Sequence, residues 1–137
     1  VIAKALKHER IPLYGDGGNI RDWLFVEDHI NALIKIINNG KIGENYCIGG
    51  NCQKTNKDLI MEICNKLNLI LENKINYSEL VTFVEDRKGH DRRYAIDNSR
   101  IKNELGWQPQ YDFSKGMDIT IKWYLENKDW LFSKTIV

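Results

Sequence analysis

The sequence predicts an α/β fold, because short strand-like runs alternate with helical patterns along the chain. Two of the runs, Ile11–Tyr14 and Val81–Val84, are rich in the branched and aromatic residues that favour strands. The helical segments place apolar residues three or four positions apart. A chain of 137 residues has the size of one ordinary domain, and no low-complexity linker interrupts it. We therefore predict a single domain over residues 1–137.

Turn-forming residues separate the elements predicted for the first fifty residues. Glycine, aspartate and asparagine dominate Gly15–Asn19, which indicates a turn between two strands. Glu27 and Asp28 favour the start of a helix, and Asn38–Gly40 favours its end. The predicted elements are a helix end over Val1–His8, strands over Ile11–Tyr14 and Asp22–Val26, a helix with the apolar stripe Ile30, Leu33, Ile34 and Ile37, and a strand over Asn45–Gly50.

A capping signal begins the next group of elements. Thr55, followed three residues later by Asp58, resembles a capping box at the start of a helix. The predicted elements are a helix with the face Leu59, Ile60, Ile63, Cys64 and Leu67, strands over Val81–Val84 and Arg93–Ile96, a short helix from Asp97–Ser99 to Gly106–Trp107, and a long helix with the stripe Phe113, Met117, Ile121 and Tyr124 or Leu125.

Composition argues against several classes of partner. The net charge is +1 with both signs interspersed, so no broad basic face is expected and we predict no nucleic-acid partner. No apolar stretch approaches the roughly 20 residues of a membrane span, so we predict no membrane association. Three cysteines without framework or metal-ligand spacing indicate reduced thiols, a cytoplasmic location and no metal site.

The first residue of the sequence is Val1 rather than methionine, and it already lies within a helical pattern. We therefore expect the sequence to be a fragment of a longer protein.

The segment Asp86–Tyr94 is the strongest candidate site, because it carries three arginines, one lysine and one histidine around Gly89. A cationic loop between two strands suits an anionic ligand, since guanidinium groups bind phosphate oxygens through paired hydrogen bonds. Gly89 would let a ligand approach the backbone closely. The alternative is a solvated charged turn in which Asp86 and Asp91 pair with the arginines.

Three further candidates each have a structural alternative. Arg21 follows the Gly15–Asn19 turn and suits an anion, although an arginine at a strand entry is usually a surface residue. Tyr14, with Pro12 and Leu13, offers a ring that stacks on a nucleobase or packs in the core. Asn56 offers an amide to a ligand or simply caps a helix.

No catalytic residue is predicted in this chain. It has no Gly-x-Gly-x-x-Gly dinucleotide fingerprint, and no Ser/His/Asp or Cys/His arrangement stands out by spacing. Asp28 and His29 are adjacent at a helix start without a third ligand, so capping explains them better than a metal. The residues alone therefore predict a binding module for a phosphorylated small molecule.

Several motifs, taken together and in order, carry a family resemblance. The motifs are Ile11–Gly17, Ile20–His29, Gly43–Gly50, Asp86–Tyr94 and Glu104–Trp107 with Pro109. With them the chain closely resembles the C-terminal half of the dTDP-glucose 4,6-dehydratases, which belong to the extended short-chain dehydrogenase/reductase family. Lys88 stands where that family usually has proline, and Phe25 where tyrosine is common.

The resemblance implies a substrate-binding lobe of a Rossmann-type fold, with the N-terminal NAD-binding lobe and its catalytic residues largely absent. It also implies a lyase that uses NAD, acts on dTDP-glucose in deoxysugar (rhamnose) and polysaccharide biosynthesis, and forms a homodimer as the full-length protein. Some elements would pack on the missing lobe, which would leave apolar surface uncovered. The implied substrate contacts are Pro12, Leu13 and Tyr14 along the thymidine, Arg21 on the diphosphate, Asn56 on the nucleotide, and Arg87, His90 and the backbone through Asp91 on the diphosphate and sugar.

Two alternatives stay open at this point. One is the substrate lobe of another sugar-nucleotide epimerase or decarboxylase, which shares the Arg-Asp and aromatic strand pattern at Arg21. The other is a non-catalytic module that binds nucleotide sugars or serves as an interaction domain.

Overall fold

The structure is a computed structural model that describes residues 1–72 and 75–133. Helices and short strands alternate along the chain, with a 3-10 turn at Tyr77–Leu80. The elements in chain order are α1 (Ile2–Leu6), β1 (Ile11–Tyr14), β2 (Ile20–Asp22), α2 (Val26–Asn39), β3 (Gln53–Thr55), α3 (Asn56–Leu71), β4 (Val81–Val84), α4 (Ser99–Leu105), α5 (Phe113–Glu126) and α6 (Lys128–Ser133).

The chain divides into two compact units. The first comprises Val1–Asn19, Thr55–Arg92 and the residues from Met117 onward, and the second comprises Ile20–Lys54 and Arg93–Gly116. The role of residues 1–137 as one substrate-binding lobe stays a prediction.

The first unit contains a parallel strand pair with a helix in the connection. β1 pairs with β4 from Ile11 opposite Val81 to Tyr14 opposite Val84. Parallel strands need a crossover connection, and α3 lies in this one. The pairing places the side chains of Ile11 and Leu13 in the core, where they join buried residues of the helices and of the 3-10 turn, namely Ala5, Leu59, Ile63, Cys64, Leu67 and Tyr77.

The second unit contains the two-stranded sheet of β2 and β3 and a separate apolar core. Ala32 of α2, Ile101 of α4 and Trp107 are its buried members. Partly buried apolar residues pack around them, namely Leu24, Ile36, Tyr46, Ile48 and Leu105.

The predicted start of α3 is confirmed. The hydroxyl of Thr55 accepts a hydrogen bond from the backbone N–H of Asp58 at 3.0 Å, and the Thr55 hydroxyl lies 2.6 Å from the Asp58 carboxylate. The predicted face of Leu59, Ile60, Ile63, Cys64 and Leu67 is buried. A side-chain cap satisfies one of the free N–H groups of the first turn, which fixes where the helix begins.

Two predicted strands near the second unit's core were wrong. The strand predicted over Asp22–Val26 ends at Asp22, and Val26 already begins α2. Asn45–Gly50 forms no strand. The carboxylate of Asp22 instead accepts hydrogen bonds from the backbone N–H groups of Gly50 and Cys52, at 3.0 and 2.8 Å. Different side chains thus bond to individual backbone groups of this segment, since the Gly50 N–H donates to Asp22 and the Gly49 carbonyl accepts from Asn98 at 2.9 Å.

Two smaller differences concern the second half of the chain. The strand predicted over Arg93–Ile96 is reduced to an isolated parallel bridge between Ile20 and Arg93. The helix α6 was not predicted.

Among the helices of residues 1–72 and 75–133, none combines the length and hydrophobicity that a membrane span requires.

The apolar stripe of α2 does not face the core of its unit. Its members Ile30, Leu33, Ile34 and Ile37 are 43–81% exposed, while Asp28 and Ala32 are the helix's buried residues. The helix packs through the neighbouring side, since Ala32 and Ile36 belong to the core cluster. This exposed stripe is consistent with the expectation, drawn from the family resemblance, that the missing lobe leaves apolar surface uncovered.

Candidate functional site

Seven of the eight predicted site residues belong to the first unit. Pro12, Leu13 and Tyr14 form most of β1, Asn56 begins α3, and Arg87, His90 and Asp91 lie in the loop after β4. Arg21 belongs to the second unit. The first unit therefore carries the cationic loop up to Arg92, the candidate stacking ring and the candidate amide.

The strand pair β1–β4 positions Tyr14 beside the cationic loop. Tyr14 lies opposite Val84 at the end of the pair, and the N–H of Gly15 donates to the carbonyl of Val84 at 3.0 Å. Tyr14 is 41% exposed, whereas Leu13 is 2% exposed. The core alternative thus holds for the side chain of Leu13 and not for the ring of Tyr14.

His90 lies at the centre of the loop, between the carboxylate of Asp86 and the guanidinium of Arg87. Its Nδ1 lies 2.6 Å from Oδ1 of Asp86, and its Nε2 lies 3.1 Å from Nη2 of Arg87. The imidazole is almost buried, with 7% of its side chain exposed. The hydrogen bond from His90 lowers the pKa of the Asp86 carboxyl from its ordinary value, and the backbone N–H of Arg87 lowers it further.

Arg87 is the loop arginine that is best placed for an anion. Its guanidinium lies over the Tyr14 ring, 5.2 Å from the centroid, and contacts the ring nitrogen of His90. Among the described residues, no carboxylate forms an ion pair with this side chain. The charge of Arg87 acts on the neighbouring Asp86 carboxylate, whose pKa it helps to lower, although no ion pair holds the guanidinium there.

The other arginines of the loop have partners already. The guanidinium of Arg92 donates to Asp16 at 2.7 Å, and that of Arg93 donates to Gln53 at 2.7 Å. The hydrogen bond from Arg92 lowers the pKa of Asp16 to about 2. Asp86 thus contacts His90 directly, while the charges of Arg87 and Arg92 act on it electrostatically. The ion pair of Arg92 is with an aspartate outside the loop, and the pairing of Asp91 with an arginine stays a prediction.

Asn19 links the turn after β1 to both Asn56 and the cationic loop. Its side-chain amide donates to the carbonyl of Asp91 at 3.2 Å, and its own carbonyl accepts from the N–H of Asn56 at 2.9 Å. Asn19 is 1% exposed. Sequence reasoning placed it in a turn and missed this link, because an asparagine in a glycine-rich segment already suits a turn.

Gly89 has a conformational role in the structure. Its φ is +73°, and a Cβ at this position would meet nothing within 4 Å. The N–H of His90 donates to the carbonyl of Arg87 at 3.1 Å, which closes the turn. The positive φ favours glycine at this position, and the expected close approach of a ligand stays a prediction.

Arg21, in the second unit, stacks on an aromatic ring. Its guanidinium lies 4.5 Å from the centroid of Tyr94, and its Nη1 donates to the carbonyl of Ile20 at 2.7 Å. These contacts hold the side chain half-buried. Its proposed role at a diphosphate stays a prediction.

Tyr111 and Lys115 have the Tyr-x-x-x-Lys spacing of a catalytic pair, although neither was predicted as a site residue. The Tyr111 hydroxyl donates to Glu27 at 2.9 Å, and this bond raises the pKa of the phenol. A tyrosine that acts as a general base needs its pKa lowered toward neutrality. The pair therefore has the spacing of a catalytic pair, but the pKa of its tyrosine is raised rather than lowered.

A family model for GDP-mannose 4,6 dehydratase matches residues 1–120. The chain belongs to that family. It is 50% identical to a dTDP-glucose 4,6-dehydratase of Haemophilus influenzae over 131 residues, which cover 93% of this chain and 39% of that relative. The resemblance that the sequence motifs carried is confirmed. The family model and the relative name different sugar nucleotides, so family membership alone does not choose the nucleotide.

Solved structures of related enzymes share the fold. A dTDP-glucose 4,6-dehydratase of Streptomyces venezuelae with NAD and TYD bound is 38% identical, with a TM-score of 0.82, and the match covers 94% of this chain and 38% of that one. An NAD complex of the Bacillus anthracis enzyme is 40% identical, with a TM-score of 0.79, over 94% and 39% of the two chains. The predicted α/β fold, as part of an extended short-chain dehydrogenase/reductase, is confirmed. The chain spans about two fifths of the length of the relatives that it matches.

Proposed function

We propose that this chain is the dTDP-sugar-binding part of an NAD-dependent dTDP-glucose 4,6-dehydratase. In the whole protein, the other part would bind NAD and carry the residues that oxidise C4, eliminate water across C5 and C6 and return the hydride to C6. The product would be dTDP-4-dehydro-6-deoxyglucose. The partner that we propose for the whole protein is a second copy of itself, and we propose no turnover by this chain alone.

One observation carries this proposal, namely the guanidinium of Arg87. It lies on the exposed Tyr14 ring and forms no ion pair with a carboxylate of the described residues. An aromatic ring beside an available guanidinium matches a base or ribose next to a phosphate group. The identity to dTDP-glucose dehydratases, which is 50% for one relative, favours dTDP over other nucleotides.

The proposal is tested by calorimetric titration of the intact chain with dTDP, thymidine, UDP and GDP. We expect dTDP to bind more tightly than thymidine, because only dTDP offers phosphate oxygens, and more tightly than UDP or GDP. Arg87→Ala should weaken dTDP binding by about tenfold or more, since a hydrogen bond to a charged group contributes about 1.5–3 kcal/mol.

Arg100→Ala is the matched control for that titration. It removes an arginine whose guanidinium already pairs with Glu44 and Glu104, at 2.8 and 3.1 Å. Its dTDP affinity should equal that of the wild type. Equal losses in the two variants, or tighter binding of UDP or GDP than of dTDP, would contradict the proposal.

A further inference from the structure

Four side chains of the first unit form one continuous series of contacts. Asp86 contacts His90, His90 contacts Arg87, and the guanidinium of Arg87 lies over the ring of Tyr14. The distances along the series are 2.6 Å, 3.1 Å and 5.2 Å to the ring centroid. Asp86 is the one member that has been assigned no role at a ligand.

The protonation of His90 follows from its two partners. A guanidinium has only N–H donors, so the Nε2 of His90 must accept through its lone pair. The proton of a neutral imidazole then lies on Nδ1 and is donated to the carboxylate of Asp86. A proton on Nε2 would place two N–H donors, that of the imidazole and that of the Arg87 guanidinium, against each other and would break their contact.

Asp86 is itself held in place by the backbone. Its Oδ1 also accepts from the N–H of Arg87 at 2.8 Å. On the other side it lies against Gly15, where a Cβ would be 2.8 Å from Oδ2. A side chain at Gly15 would therefore displace the carboxylate, and the φ of +58° independently favours glycine at this position. The carboxylate is therefore fixed before any ligand arrives.

We propose that Asp86 is a positioning residue that keeps the His90 proton on Nδ1, so that Nε2 holds the Arg87 guanidinium over Tyr14 for a nucleoside diphosphate. The part of this inference that concerns the ligand rests on the proposed function. The part that concerns the histidine tautomer stands on the geometry of the unliganded chain.

The tautomer is measured by ¹⁵N NMR of the intact chain without ligand. The sequence has three histidines, His8, His29 and His90, so the variant His90→Ala identifies the signal by its loss. We expect wild-type His90 to carry its proton on Nδ1 at neutral pH. In Asp86→Ala, we expect the proton to move to Nε2, because the acceptor that held it on Nδ1 is gone.

Glu85→Ala is the matched control, because it removes the neighbouring carboxylate and should leave the tautomer unchanged. In calorimetric titrations, Asp86→Ala should weaken dTDP binding about fivefold or more and leave thymidine binding unchanged, whereas Glu85→Ala should alter neither. A wild-type His90 with its proton on Nε2, or an unchanged tautomer in Asp86→Ala, would overturn the inference. If the wild type does not bind dTDP, the proposed function fails while the NMR comparison still decides the role of Asp86.

Discussion

The helices α2 and α3 have similar sequence patterns, but α3 buries its apolar face and α2 exposes it. Both are long, with 14 and 16 residues, and both carry an apolar stripe and an aspartate at the third helical position. α3 buries its stripe in the first unit. α2 leaves its stripe exposed and packs in the second unit through Ala32.

The difference shows what an amphipathic pattern does and does not predict. The spacing of apolar residues predicts a helix and the direction of its apolar face. It does not predict that the same unit covers that face, because burial depends on elements that are distant in sequence. For α2 the smaller residue Ala32, and not the apolar stripe, lies in the core.

Matched isoleucine substitutions in the two helices should give the largest difference in the free energy of unfolding. Ile63 of α3 is 7% exposed, and Ile37 of α2 is 81% exposed. We expect Ile63→Ala to lower the free energy of unfolding by about 2–5 kcal/mol, because it leaves a cavity in a packed core. Ile37→Ala should change it by less than about 0.5 kcal/mol, since its side chain is already in water.

Urea unfolding curves of the intact chain measure both free energies. Leu69→Ala, a substitution at a position of α3 that is 78% exposed, is the control for the change in helix propensity that alanine brings. Comparable destabilisation by Ile63→Ala and Ile37→Ala would mean that the stripe of α2 is covered in solution.

The two aspartates at the third helical position give the next largest effect. Asp28 of α2 is buried, and its carboxylate accepts from the N–H groups of Gln110 and Tyr111 at 2.9 and 3.1 Å. Asp58 of α3 is exposed and contacts the Thr55 hydroxyl. We expect Asp28→Ala to destabilise the chain by about 2 kcal/mol, because two N–H groups lose a charged acceptor.

Asp58→Ala should cost about 0.5 kcal/mol or less in the same urea experiment, since water replaces an exposed contact. Both variants remove an acidic group from the first turn of a helix, so the shared loss of its interaction with the helix dipole cancels in the comparison. Equal destabilisation would show that the bonds from Asp28 to Gln110 and Tyr111 contribute nothing beyond that shared term.

Local signals explain which parts of the fold were predictable. The start of α3 follows from Thr55 and Asp58, which lie within one turn of each other. The strands β1 and β4 follow from short branched and aromatic runs. By contrast, the segment Asn45–Gly50 has the composition of a strand but forms none, and its Gly50 N–H donates to the side chain of Asp22, 28 residues away in sequence.

The candidate site shows the same division between local and distant information. The cationic loop was predictable as a concentration of charge within nine residues. The sequence could not predict which of its arginines already have a partner, because Arg92 pairs with Asp16, 76 residues away in sequence. The exposure of Tyr14 likewise depends on its pairing with β4.

The smallest expected effect concerns the exposed ion pair of Asp16 and Arg92, which links the turn after β1 to the cationic loop. The N–H groups of Asn56 and Lys57 donate to this turn, so α3, unlike α2, supports the candidate site with its first residues. The pKa of Asp16 is about 2 in the folded chain, below its ordinary value of 3.8. The pair therefore adds stability above about pH 4, which is lost as the pH falls toward 2.

Carbon-13 NMR of the Asp16 carboxyl measures this titration. We expect a midpoint near pH 2 in the wild type and a midpoint shifted toward 3.8 in Arg92→Ala, because the guanidinium bond is the largest cause of the low pKa. Arg93→Ala is the matched control, since the adjacent arginine bonds to Gln53 and should leave the midpoint where it was. A wild-type midpoint near 3.8 would mean that the ion pair of Asp16 and Arg92 does not link the turn to the loop in solution.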